Sequence, residues 1–389
     1  DKVFVDGYKP PASGSQLDLF GIRDEILSAQ CVVFAKADLN SVSVLTENLV
    51  GSGSTLFIPA GAVKYNFVEG IPLAVNSELT AGKSLLRRAP ALFPDYLSTK
   101  TSKSIAKGSY QSVWLSIHIP DNTPPNTYSG KITVRSDKGS QSIPLRIQVF
   151  PLQMPKTPHL YTTNWYSISN KYHEFGKEFD EKFFALVDVY ARNMAEHRQN
   201  VFRVDLSAIS ASMGADRRIK FNFSDYDHWI KIFERTGTMT RLETGFVARF
   251  AEDWWSTTIV LRDFDVFDTK SALTIKMKGK DYLPQFLPAF EKHLKEIGWL
   301  DRTVFHIADE PCNVNIISWR EASEFVHTYA PSLKRIEALE GTYFDDRLEV
   351  WVPKLDHLTN MWDSFKKAQR EGNELWYYMA MTTNAYPNR

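Results

Sequence analysis

The hydrophobic pattern of this chain changes period across a single proline-rich stretch, Phe150-Pro-Leu-Gln-Met-Pro-Lys-Thr-Pro158, and that switch limits the architecture more than anything else in the sequence. Before it, short runs at 31–35, 42–45, 55–59, 112–119, 131–134 and 142–149 alternate or are rich in β-branched residues. Gly, Pro, Ser and Asn clusters separate them, as in Gly51-Ser-Gly-Ser54 and Asp121-Asn-Thr-Pro-Pro-Asn126. Many short strands with turn signals between them predict a β-sandwich over residues 1–150. The runs 114–119 and 128–134, joined by the proline turn, read as a hairpin. Proline removes donors and stiffens the backbone, so residues 151–158 read as a linker.

Beyond the linker, strands alternate with helices. Strands are expected at 159–166, 201–206, 241–247, 303–308, 335–339, 350–355 and 375–381. Helices are expected at 180–198, 226–235, 281–299, 316–329 and 361–370, where apolar residues recur at i, i+3 and i+4. The long segment with Trp254-Trp255 reads as an inserted loop. Such βαβ repeats imply right-handed crossovers and a parallel sheet. Seven strands point to a (β/α)8 TIM-type barrel over 159–389 that lacks its last βα unit in this chain. No Gly-x-Gly-x-x-Gly follows any expected strand, which counts against a doubly wound dinucleotide fold.

Composition removes several functional classes. The 389 residues carry 46 basic and 46 acidic side chains, so there is no basic nucleic-acid footprint. No apolar run approaches the roughly 18–20 residues of a membrane helix. The two cysteines, Cys31 and Cys312, fall in different expected domains, and neither a disulfide nor a metal site is indicated. No His-Glu-x-x-His, phosphate loop or Gly-x-Ser-x-Gly elbow is present, and no cofactor is expected. Aromatic content is 13%, with 10 Trp and 16 Tyr, which supplies flat rings able to stack on sugars as well as core. The first residue is Asp1 rather than Met, which fits removal of an export signal and an extracytoplasmic location.

The sharpest chemical signal is Thr303-Val-Phe-His-Ile-Ala-Asp-Glu-Pro311. A buried β run ends in two adjacent acids, and strand C-termini form the active-site face of a barrel. Two carboxylates there are costly unless used or paired. Strict alternation sends Asp309 and Glu310 to opposite faces, so both reach the mouth only if the backbone twists or bulges. A pair with unequal ionisation suits acid chemistry at a glycosidic bond, one group donating a proton and the other staying charged. The competing reading is a structural pair that caps a helix or bridges to a basic group. Weaker candidates are Trp376 and Tyr378 on one face of the last strand, with Tyr377 opposite. Asn164 and Trp165 end the first strand, Tyr343 and Glu340 follow the fifth, and His306 and Asp205 lie within strands.

The domain order, the run His306-Ile-Ala-Asp-Glu-Pro311, Ile119-Pro120 with Tyr128-Ser-Gly-Lys-Ile132, and Trp376-Tyr-Tyr with Tyr386-Pro-Asn-Arg389 together resemble glycoside hydrolase family 123. The resemblance implies an exo-acting, retaining β-N-acetylgalactosaminidase whose substrate carries a terminal β-linked N-acetylhexosamine. It implies a substrate-assisted mechanism in which the 2-acetamido oxygen attacks the anomeric carbon. Asp309 would orient that group, and Glu310 would act as acid and then base. Trp376, Tyr378 and Tyr343 would shape the pocket. The alternatives are a glycosidase of other specificity on the same scaffold and a non-catalytic carbohydrate-binding protein.

Overall fold

The structure is a computed structural model that describes residues 2–9, 16–76, 85–168, 178–254, 256–344 and 347–380. The chain divides into two compact units whose boundary lies between Pro155 and Lys156. The last strand of the first unit, Gly139–Gln153, runs into the stretch expected to be linker.

The first unit is built from two sheets. One has the order Leu17–Arg23, Gly139–Gln153, Asn126–Ser136, Leu39–Thr46, Lys103–Ile105, with Leu49–Gly51 and Phe57–Ile58 beside it. The other has the order Ile26–Phe34, Tyr110–His118, Val63–Leu73, Ala91–Ser98. Both send alternate residues into one apolar cluster: Cys31, Phe67, Val113 and Leu115 from the second sheet, Val44, Tyr128, Ile132 and Ile147 from the first. The expected hairpin of 114–119 and 128–134 is not formed. Its two arms lie in different sheets, because the proline-rich turn carries the chain across and Asn126–Ser136 pairs with Gly139–Gln153 instead. The Tyr128 hydroxyl pins that crossover by donating to Pro124 O at 2.8 Å.

The second unit carries a six-stranded parallel sheet. Its strands, in sheet order and in chain order alike, are Val201–Val204, Arg241–Thr244, Thr303–His306, Lys334–Leu339, Val350–Pro353 and Glu374–Leu375. Helix α1 (Glu181–Glu196) precedes the first strand, and α2 (Ser224–Glu234), α3 (Gly279–Glu296), α4 (Ile316–Tyr329), α5 (Leu355–Asn360) and α6 (Trp362–Arg370) fall between later ones. Alternation divides each strand between two faces. Phe202, Val204, Leu242, Phe305 and Trp351 pack with the apolar stripes of the helices, such as Val187, Trp229, Phe233, Phe286 and Trp319. Val304, Ile336, Val350 and Val352 form a second cluster, against which Trp376 and Tyr378 pack.

The sheet is a curled half-barrel. Arg241 and Glu374 belong to strands four places apart, roughly 19 Å on a flat sheet. Their side chains nonetheless form an ion pair at 2.9 Å, which only strong curvature allows. Tyr161 and Trp376 stack with ring centroids 5.4 Å apart, and the Arg241 guanidinium sits 4.2 Å from the Tyr161 ring.

Three expectations are corrected. The segment 159–166 is not a strand among the described residues. Buried Asn200 replaces a ladder there, its Nδ2 donating to Leu160 O and its Oδ1 accepting from Thr162 N. The last strand is only Glu374–Leu375, continued by a single bridge between Lys354 and Tyr378. The supposed inserted loop holds regular structure: Ala248–Phe250 pairs with Ile259–Leu261, and Phe264–Asp268 and Leu273–Met277 join Ser210–Met213 and Ile219–Asn222 in a four-stranded sheet. Polar turns inside short strands hid this period in the sequence.

Candidate active site

The third parallel strand ends at His306, two residues earlier than its apolar run suggests. Beyond it the chain is held by partners outside the ladder. Ile307 O accepts from Ala248 N at 2.8 Å, and Ala308 N donates to Glu337 Oε2 at 2.9 Å. Glu310 then takes φ = 45°. That region is costly for a non-glycine residue, and more so ahead of a proline, which favours extended backbone. The turn breaks the strict alternation that would send Asp309 and Glu310 to opposite faces. Both carboxylates are partly buried, and among the described residues no lysine or arginine forms an ion pair with either.

The two acids have different surroundings. Burial raises the Asp309 carboxyl above its ordinary range, and the charge of Glu310 adds to this, while His306 and Arg203 oppose it. Glu310 instead accepts a hydrogen bond from the Tyr378 hydroxyl. Burial and the facing carboxylates of Glu310, Glu340 and Asp309 push the Tyr378 phenol far up, so it stays a donor.

Around the pair lies a wall of rings and buried charge. Trp165, 44% exposed, stands edge-on to His306 and Phe246. Its Nε1 donates to Glu243 Oε1 at 2.7 Å. Thr163 Oγ1 donates to Glu243 Oε2 at 2.9 Å. The Arg203 guanidinium lies 4.8 Å from the Trp165 ring and 4.9 Å from Phe246. Arg203 and Asp205 also line a cavity of about 290 Å³ with Tyr166, Phe179 and Trp229.

The structure sorts the remaining candidates. Tyr378 and Trp165 come to the pair or its wall. Tyr343, 43% exposed, follows the fourth strand, and its hydroxyl accepts from Asn313, just past the Glu310 turn. Trp376 is spent on Tyr161, Arg241 and the inner apolar cluster. Asn164 donates through its amide to Gln199 Oε1 at 3.2 Å. Asp205 caps the short turn Leu206–Ala208 by accepting from Ser207 N. Trp254 packs on Phe250, and Trp255 lies outside the described residues. His306, expected to contact substrate, is only 2% exposed and lies between Glu243 and Glu337.

Sequence reasoning missed Arg203, Phe246, Glu243 and Glu337. The two glutamates had a usable signal. Each is the one acid of a short parallel strand, next to a buried apolar residue, where an unpartnered charge is prohibitive. Their strands flank that of His306 on either side.

Comparison with known proteins gives this arrangement a context. Residues 164–389 match the sequence model described as "Glycoside hydrolase 123, catalytic domain", and residues 9–136 match "Glycoside hydrolase 123 N-terminal domain". The class so defined is a glycoside hydrolase. More narrowly, the chain belongs to glycoside hydrolase family 123. A family 123 glycoside hydrolase from Clostridium perfringens, analysed for glycolipid glycan hydrolysis, superposes with a TM-score of 0.72 at 18% identity, covering 94% of this chain and 68% of that one. This likeness establishes the fold. A family 20 exo β-N-acetylglucosaminidase from Vibrio harveyi (9% identity, TM-score 0.28, covering 94% of this chain and 81% of that one) and a putative alpha-galactosidase from Bacteroides fragilis (10%, 0.27, 90% and 56%) are too distant to carry any argument. No curated protein matches the sequence.

Proposed function

We propose that the chain is an exo-acting, retaining β-N-acetylgalactosaminidase that uses the 2-acetamido group of its substrate as the nucleophile. The observation that carries this reading is the left-handed turn at Glu310, which lets two neighbouring carboxylates leave one strand end in unequal environments. The acetamido oxygen attacks the anomeric carbon and the glycosidic bond breaks. Glu310 gives its proton to the departing oxygen. Asp309, ionised, accepts the acetamido N–H and stabilises the oxazolinium cation. Glu310 then takes a proton from the water that reopens the ring, restoring the original configuration by two inversions. Adjacent acids suit this chemistry because they act on different parts of one sugar, an exception to the usual spacing of two carboxylates. Trp165 and Tyr343 offer exposed rings for the sugar's apolar face.

On this reading the first unit is a two-layer β-sandwich, and the curled sheet is the greater part of a TIM-type barrel. The substrate is a glycan or glycoconjugate ending in β-linked N-acetylhexosamine, met outside the cytoplasm. No helix among the described residues is long and apolar enough to cross a membrane. The test is a panel of aryl β-glycosides with and without the 2-acetamido group, run on wild type and Glu310→Gln. Turnover is expected only with the acetamido sugars, fastest for the galacto isomer. Glu310→Gln should lose several orders of magnitude on a poor leaving group. Equal cleavage of the 2-hydroxy sugars, or full activity of Glu310→Gln on a poor leaving group, would overturn the proposal.

A further inference from the structure

Three neighbouring strands each contribute one buried ionisable side chain to a cluster beside the carboxylate pair. Glu243, His306 and Glu337 are 1%, 2% and 0% exposed. His306 Nε2 lies 2.6 Å from Glu243 Oε1. On the other side His306 Nδ1 lies 3.6 Å from Glu337 Oε1, and neither of these two buried atoms has another hydrogen-bond partner. A ring with protons on both nitrogens is the state in which each nitrogen faces an acceptor.

We propose that Glu243 and Glu337 are positioning residues that hold His306 as an imidazolium beside the carboxylate pair, where its positive charge keeps Asp309 ionised. The inference rests on the reading of Asp309 as the charged partner of the acetamido group. Asp309 needs such help, because burial and the adjacent Glu310 both favour its neutral form. The groups facing His306 can be named from each element around it. Glu243 comes from the second strand and Glu337 from the fourth. The Trp165 and Phe246 rings stand edge-on, and the His306 backbone N donates to Thr244 Oγ1. Arg203, stacked on the same two rings, is a second cation acting on Asp309 in the same direction.

The placement of the protons follows from the partners. Burial alone, the largest influence on His306, would lower it, but the hydrogen bonds and charges of Glu243 and Glu337 reverse this and raise it to about 9. Burial raises Glu243, yet the His306 ring, Thr163 and Trp165 bring it below the ordinary range, so it is an anion. Burial drives Glu337 the other way, upward, so one proton is contested between Oε1 and Nδ1. Glu337 Oε2 already accepts from Ala308 N and from Trp319 Nε1 at 2.8 Å. Two N–H donors favour the carboxylate, and imidazole is the more basic group, so the proton belongs on Nδ1. Glu337 thereby does two things: it completes the imidazolium and fixes the Ala308 N–H, one residue before Asp309.

The test is a pair of NMR titrations on the full chain, labelled with ¹⁵N at histidine and ¹³C at the aspartate carboxyl. His306→Gln and Asp309→Asn spectra supply the assignments. In the wild type both His306 nitrogens are expected to be protonated at pH 7.5, and in Glu243→Gln the ring should be neutral. Asp309 should titrate about one pH unit higher in His306→Gln than in wild type, the effect of losing a nearby opposite charge. The acid limb of kcat/KM should move up by the same amount. Should His306→Gln fail to fold, the isosteric Glu243→Gln serves, because neutralising the ring removes the same charge from Asp309. A neutral His306 in wild type, or an Asp309 titration unmoved in both variants, overturns the proposal. Neither titration needs turnover. A chain that cleaves no acetamido glycoside would therefore defeat the functional reading and leave this proposal to be judged by the spectra alone.

Discussion

Replacing Tyr378 by phenylalanine removes one oxygen and, with it, the hydrogen bond that the phenol donates to Glu310. Tyr378 packs against the inner apolar cluster through its ring, which phenylalanine keeps, so the fold should survive. On the proposed mechanism, the lost interaction matters most when Glu310 becomes negative as it hands its proton to the leaving oxygen. A hydrogen bond to a charged group contributes about 1.5–3 kcal/mol. At 1.36 kcal/mol per decade, kcat/KM should fall by roughly 10- to 150-fold. The fall should depend on the leaving group, because a nitrophenolate departs with little protonation and an alkyl or sugar alcohol cannot. The assay compares a 4-nitrophenyl N-acetylgalactosaminide with a disaccharide carrying the same terminal sugar, in wild type and Tyr378→Phe. A large loss on the disaccharide beside a small loss on the aryl substrate is expected. Equal losses, or none, would refute the assignment of Glu310 as the proton donor supported by Tyr378.

Other predictions follow from the same geometry. His306 is raised from 6.5 to about 9, so its contribution to stability is complete below pH 6.5 and disappears as pH climbs through about 9. Thermal melts from pH 6 to 9.5 should show a decline in wild type that flattens in His306→Gln, and parallel curves would refute it. Burial pushes the Cys31 thiol up to about 11, whereas Cys312 is partly exposed and both are free. Native alkylation at pH 8 should therefore add one equivalent of maleimide by intact mass, and a second only after denaturation; two equivalents in the native state would contradict the buried placement of Cys31. Asp309→Asn should lose activity on acetamido substrates with little change in melting temperature, since the side chain has no ion-pair partner among the described residues; a large drop in melting temperature would point to a structural role instead.

Helix positions were legible because apolar residues recur at helical spacing over three or more turns, as in α1, where Phe183, Phe184 and Val187 are buried and Tyr190 and Met194 half-buried. Strand edges were less so. Residues 159–166 carry a strand-like pattern, but Leu160 O and Thr162 N bond the Asn200 side chain, and no local pattern reports a side chain 40 positions away. The arms 114–119 and 128–134 misled for a related reason: a turn signal marks a reversal but not whether the returning strand joins the same sheet or crosses to the facing one. At the site, Asp309 and Glu310 stood out as two acids ending an apolar run. The buried trio did not, since Glu243, His306 and Glu337 are single residues on three strands and only the lateral order of the sheet brings them into line. The left-handed turn at Glu310 was foreshadowed by the need to bring both acids to one rim, although its place, after a strand already ended at His306, came from the Ala308–Glu337 contact.

The most direct measurement is a crystal structure of the full chain soaked with an N-acetylgalactosamine thiazoline, a neutral mimic of the oxazolinium species. The account predicts the thiazoline nitrogen against the Asp309 carboxylate, Glu310 poised at the anomeric carbon, and Trp165 or Tyr343 along the sugar. A thiazoline that fails to bind, or that binds where neither carboxylate can reach it, would contradict the account.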